Sequence, residues 1–185
     1  MSKNNLGKKF EKNFKEAAKK EGIFFYRIPD STQSFGGGES SFTHDSLADA
    51  FTFYNRTLFA LELKSTKYKS ISIERENTAS NSHKMIKKNQ INNLIECQSY
   101  DNIEGCFIFN FREQEEDIIL DERTYIMNIN DFSNFLASTD KMSINEKEIL
   151  EFGGMMIEGI KKKKWFTYKV TDGLHNYLER KVSDG

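Results

Sequence analysis

Two strand-like runs, "ADAFTFYN" and "LFALELK", meet at Asn55-Arg56, and that spacing leaves the chain few ways to fold there. Short runs rich in aromatic and β-branched residues pair as an antiparallel hairpin when two residues turn the chain. Residues whose numbers sum to 111 then face one another, which sets Asp49 opposite Glu62. Side chains on a strand repeat with period two, so Glu62 and Lys64 share that face while Leu61 and Leu63 pack the other way. Four of the six residues of "FALELK" are apolar, too many for an edge strand. A central strand that carries two charges calls for a functional explanation.

Two carboxylates about 5 Å apart destabilise a hairpin unless a positive group lies between them, and a divalent cation is the usual solution. Asp49 and Glu62 are therefore candidate metal ligands. Lys64 completes a set suited to metal-assisted hydrolysis of a phosphodiester: oxygen ligands hold Mg²⁺, with Mn²⁺ as a substitute, while a lysine orients water or neutralises developing charge. An isolated E-x-K could also be the wet side of a strand with a local ion pair. Asp45, seventeen positions before Glu62, is a rival for the first acid.

Charge favours a polyanion partner only when it is resolved along the chain. The net charge is -1, yet residues 1–90 hold 16 Lys and Arg against 10 acids, and residues 91–185 hold 11 against 18. A basic half that also contains Glu62 suggests a phosphate-facing surface, with Lys8, Lys12, Lys67, Lys69, Lys84, Lys87 and Lys88 as candidate contacts to duplex or branched DNA. A DNA-binding module that only retains the acids is the competing class. Three histidines scattered at 44, 83 and 175 do not make a zinc site, and Cys97 and Cys106 have neither metal nor redox spacing. No apolar run approaches a membrane helix and no apolar h-region opens the chain, so the expectation is a soluble, cytoplasmic protein.

The 185 residues, with sixteen Phe and seven Tyr to fill a core, suit one domain. Phe10, Phe14 and Ala17/Ala18 make the apolar stripe of a helix over about 7–21, ended by Gly22. "IFFYRI" follows as a strand closed by Pro29. Residues 30–44, with the triplet Gly36-Gly37-Gly38, read as a mobile loop without a P-loop signature. "KSISIE" continues the hairpin as a meander, and "HKMIKKNQINNLIECQSY" reads as a helix that buries Met85, Ile86, Ile91, Leu94 and Ile95 with Lys84, Lys87 and Lys88 outward. Strands "GCFIFNF", "DIILD" and "TYIMNI", helical pieces near 131–137 and 143–150, a late strand in "KKKKWFTYKV" and a helix in "DGLHNYLER" complete an α/β chain with a mixed sheet flanked by helices.

An acid, about a dozen residues, then acid-x-Lys on a central strand resembles the PD-(D/E)XK nuclease superfamily. More narrowly the chain resembles the RecU-type Holliday junction resolvases of low-GC bacteria and their phages. "GKKFEKNF" is similar to that family's G-x-x-x-E helix, "YRIP" to its basic, proline-closed strand end, "ELKSTKYKS" to its E-x-K-x-T-K stretch, "NQINNLIE" to its Gln-bearing helix and "KMSINEKEILEFG" to a late K-S-I segment. The resemblance implies a restriction-endonuclease-like core, Asp49 and Glu62 as metal ligands, Lys64 as the catalytic lysine, Glu11 as the helix glutamate beside the metal and Gln90 as the helix glutamine near the site. It further implies a Mg²⁺-dependent crossover-junction endodeoxyribonuclease acting in recombination and repair as a homodimer. Aromatic residues in "GCFIFNF" and "KKKKWFTYKV" offer surface for such a dimer or, equally, fill the core. The chain departs from the family at Asn89, where a histidine is typical, at Leu47-Ala48, and in the shortness of its 30–44 loop.

Overall fold

The computed structural model describes residues 6–29, 46–76, 83–115, 118–163 and 165–184. The glycine-rich loop expected at 30–44 and the rival acid Asp45 lie outside these residues.

Helix α1 (Leu6–Lys20) forms as its stripe predicts, burying Phe10, Phe14, Ala17 and Ala18. It ends where Gly22 takes a φ of 76°, letting Gly22 N–H reach Lys19 O and Ile23 N–H reach Ala18 O. Strands β1 (Phe24–Arg27), β2 (Ala50–Tyr54) and β3 (Thr57–Thr66) follow. Asn55 and Arg56 both adopt positive φ, 47° and 65°, the two left-handed residues that match a two-residue hairpin to the strand twist. The pairing is Ala50↔Leu61 through Tyr54↔Thr57, the register read from the sequence.

The rest of the chain comprises β4 (Ser70–Ser72), α2 (Lys88–Gln98), β5 (Ile103–Glu115), β6 (Ile118–Asn128), α3 (Ile129–Ser138), β7 (Ser143–Asn145), α4 (Glu146–Glu151), β8 (Met155–Ile157), β9 (Gly159–Lys161), β10 (Phe166–Tyr168) and α5 (Val170–Asp184). The main sheet runs β1-β2-β3-β5-β6-β8. It is mixed, with β3 and β5 parallel and the other neighbours antiparallel. Strand β3 is interior, as its apolar content requires. One core, built on Phe10, Phe14, Phe59, Leu61 and Tyr177, fills the face under α1 and α5. The other, built on Ile91, Leu94, Phe107, Phe109 and Phe132, fills the face under α2 and α3.

Several expectations give way. "KSISIE" does not extend the meander: β4 leaves the sheet and pairs with β7, because alternation specifies a strand but not its partner. Residues Ile118–Asn128, expected as two strands, are one strand, β6, paired along β5. Residues 143–145 are extended and only then does α4 begin. Helix α2 starts at Lys88, five residues later than expected, since Ile86 forms a parallel bridge with Ile73. Ile95 is exposed instead of buried, and Lys84, Lys87 and Lys88 are half-buried instead of outward. The aromatic side chains expected at a subunit surface are mostly core: Phe107, Phe109, Phe111, Phe166 and Tyr168 are buried.

Helix α2 lies so close to β5 that a Cβ on Gly105 would collide with the Leu94 carbonyl. Gly105→Ala is expected to destabilise the protein by about 1–3 kcal/mol, the range for overpacking. Urea denaturation checks it, and an unchanged midpoint would contradict the packing.

Candidate active site

The hairpin register places Asp49, one residue before β2, across from Glu62, and Asp49 N–H donates to Leu61 O at 3.0 Å. Its carboxylate is held from the strand itself, Oδ2 accepting the Leu63 N–H at 2.9 Å. Glu62 is 3% exposed. Lys64 Nζ donates to its Oε1 at 2.7 Å, from the next position on the same face. Gln90 Nε2 donates to the same oxygen from the first turn of α2. The Gln90 amide is oriented by its other end, Oε1 accepting the Lys87 N–H at 3.0 Å. Three of the predicted site residues, Asp49, Lys64 and Gln90, thus converge on the Glu62 carboxylate.

Glu11 comes to the same end of the sheet from α1. Glu11, Arg27, Asp49 and Leu63 line one small cleft, where Arg27 Nε donates to Glu11 Oε2 at 2.8 Å. Arg27 as the partner of Glu11 was not foreseen, since only folding α1 over β1 joins them. Glu74 is a second such residue. It is buried, and its Oε2 accepts the Lys88 N–H at 3.0 Å, so it tethers the helix end that presents Gln90. Nothing local marks it, because its position depends on β4 leaving the sheet.

Burial pushes the Glu62 carboxyl up from its ordinary 4.5 to about 7; the Lys64 charge opposes this rise and the Asp49 charge adds to it. Because the folded value lies above the unfolded one, the stability associated with protonation is full below about pH 4.5 and is lost as the pH rises through about 7. The metal-free protein is therefore expected to melt at progressively lower temperature across that window. Thermal melts in EDTA at several pH values check this, and Mg²⁺ should raise the midpoint more at pH 8 than at pH 5.

The donors suit a hard cation. Among the described residues no group of three His, Cys, Asp or Glu converges, so the chain offers the two carboxylates of Asp49 and Glu62. Mg²⁺ keeps several waters and is commonly held by one or two carboxylates plus substrate phosphate, and Mn²⁺ accepts the same oxygen ligands. With one lysine facing two acids, the site carries negative charge that a cation offsets.

The candidate DNA contacts divide by exposure. Lys8, Lys12, Lys67 and Lys69 are exposed, with Lys12 Nζ 3.8 Å from Glu16 and Lys67 Nζ 5.8 Å from the centre of the Tyr68 ring. Lys67 and Lys69 line an open cleft of about 1040 Å³ that begins beyond the end of β3, three residues past Lys64. The cleft is mixed in charge, since Arg123, within it, is held by Glu146 at 2.7 Å. Among the described residues no helix is long and apolar enough to cross a membrane.

No family model matches the chain. It is 36% identical over 179 residues to the SPbeta prophage-derived uncharacterized protein YotM of Bacillus subtilis (strain 168), a match that covers 91% of this chain and 84% of that protein. Among solved structures it is similar to Hjc, a Holliday junction resolvase from the archaeal hyperthermophile Archaeoglobus fulgidus, with a TM-score of 0.47 and 16% identity over 81% of this chain and 95% of the other.

Proposed function

We propose, for a chain that belongs to the family of the prophage protein YotM, a Mg²⁺-dependent endodeoxyribonuclease of the PD-(D/E)XK type, acting as a RecU-like resolvase on branched DNA in recombination and repair. The observation that carries this reading is the convergence of Lys64 and Gln90 on the buried Glu62, with Asp49 opposite it on the hairpin. Asp49 and Glu62 would hold the cation, which supplies Lewis acidity toward the phosphate and makes water a better nucleophile. The Lys64 ammonium, 2.7 Å from Glu62 Oε1, would orient water or offset charge on the phosphate. Gln90 fixes the rotamer of Glu62, and Glu11 with Arg27 closes the far side of Asp49.

Resolving a four-way junction takes two cuts, and the described residues hold one such site, so the working unit is a homodimer with a twofold axis. The test uses end-labelled four-way, flap and duplex substrates in Mg²⁺ and in EDTA. The reading predicts paired, symmetrical cuts in the four-way substrate with Mg²⁺ and none with EDTA. Wild-type subunits mixed with Glu62→Gln subunits should nick one strand only. Tight binding with no cutting of any substrate would identify a DNA-binding module instead.

A further inference from the structure

The sheet face that carries the acid pair continues outward as a ladder of aromatic rings. Along β2 the residues that share the face of Asp49 are Phe51 and Phe53, and the register sets Tyr26 beside Phe51 and Phe24 beside Phe53. Phe24, Tyr26 and Phe53 are 59%, 52% and 51% exposed, although aromatic rings on a sheet are normally buried. On this face α2 packs over β3 and β5 and α3 over β5 and β6, leaving the β1–β2 rungs beside them. Same-face residues on a strand are about 6.6–6.8 Å apart, so the first aromatic rung lies one such step from Asp49. That step is close to the spacing of nucleotides in an extended strand.

We propose that this ladder stacks unpaired bases of the strand whose phosphate lies at Asp49 and Glu62, so that the protein reads an opened branch point next to the bond it cuts. The inference rests on the nuclease reading. Ring faces accept any base, and a row of them running from a phosphate site suits a single strand better than a rigid duplex. Charge agrees: β1 contains no carboxylate and none lies between Asp49 and Glu62, while Arg56, exposed in the turn, ends the ladder with a cation. A nucleic-acid strand that passes the acid pair has to leave along some part of this face. A protein docked on the rungs nearest Asp49 would compete with it.

The full chain is tested in EDTA with single-stranded, four-way and blunt duplex oligonucleotides carrying 2-aminopurine near the expected cut. Wild type should quench the probe in single-stranded and four-way DNA, as stacking does, and leave it unchanged in duplex. Phe24→Ser and Phe53→Ser should each weaken single-strand binding about tenfold and leave duplex binding unchanged. Unquenched wild-type complexes, equal losses on duplex and single strand, or variants that bind as wild type would each overturn the proposal. So would light scattering that shows the variants converting a dimer to monomers, which would make the ladder a subunit surface. Quenching without any cutting in Mg²⁺ would remove the nuclease reading and leave base stacking standing. Cutting without quenching would remove the ladder alone.

Discussion

Glu62→Gln should reduce junction cutting by about 10²–10³-fold or more while binding is retained, because it removes a charge that the reaction needs and preserves the shape of the side chain. Glu62 is the point on which the site converges, accepting from Lys64 and Gln90 while facing Asp49. A glutamine keeps an oxygen to accept from those donors, so folding is retained. It cannot share a divalent cation as a carboxylate does. The substitution also removes the group that titrates near pH 7, so the decline in melting temperature between about pH 4.5 and 7 should flatten in the variant. Loss of cutting without flattening would separate the catalytic from the electrostatic part of the account. Asp49→Asn and Lys64→Ala should be similarly inactive, and Asp45→Asn should cut as wild type. The reverse result for the two aspartates would move the first metal ligand to Asp45.

Binding should weaken steeply with salt. Lys8, Lys12, Lys67 and Lys69 are exposed, and if all four meet phosphates the log-log slope on duplex DNA is about -3.6, a loss of about 10²-fold for a fourfold rise in salt. Any contact from Lys84, Lys87 or Lys88 would steepen it. These three are half-buried, so their contribution depends on how much of each ammonium faces the groove. Replacing Lys67 and Lys69 together should reduce the slope by about 1.8. A flat dependence in wild type would make the basic half of the chain ordinary solvated surface. Titration of a fluorescent duplex at several salt concentrations measures both quantities.

What was legible in the sequence follows from how local each feature is. The hairpin register depends on two turn residues and the strand period, and Asn55 and Arg56 adopt the left-handed backbone it needs. The shared face of Glu62 and Lys64 follows from period two alone. Helix α1 and its glycine stop were equally local. The start of α2 was not, because Met85 and Ile86 fit a helical stripe, but Met85 N–H donates to Ser72 Oγ, thirteen residues earlier, and Ile86 bridges Ile73. Gln90 carries no local mark beyond the resemblance of "NQINNLIE" to a Gln-bearing helix. Arg27 and Glu74 were missed because each acquires its role from a partner on another element, Glu11 in one case and the Lys88 amide in the other. The segments "GCFIFNF" and "KKKKWFTYKV" offer aromatic surface, but Phe107 and Phe109 stack on each other and pack tilted against Phe132, and Tyr168 packs on Phe10 and Phe14. Of the second segment only Trp165 stays exposed, and further exposed rings lie on β1 and β2 at Phe24, Tyr26 and Phe53.

In the proposed function, Asp49, Glu62 and Lys64 cut a phosphodiester with a divalent cation. The most direct measurement is single-turnover cleavage of an end-labelled four-way junction as Mg²⁺ is titrated from zero, with wild type and Glu62→Gln side by side. The expected wild-type rate rises with Mg²⁺ to saturation and returns to zero on addition of EDTA, while the variant rate stays lower by about 10²–10³-fold or more at every concentration. A variant that cuts at the wild-type rate, or a wild type that binds the junction and leaves it whole at every Mg²⁺ and Mn²⁺ concentration, would contradict it.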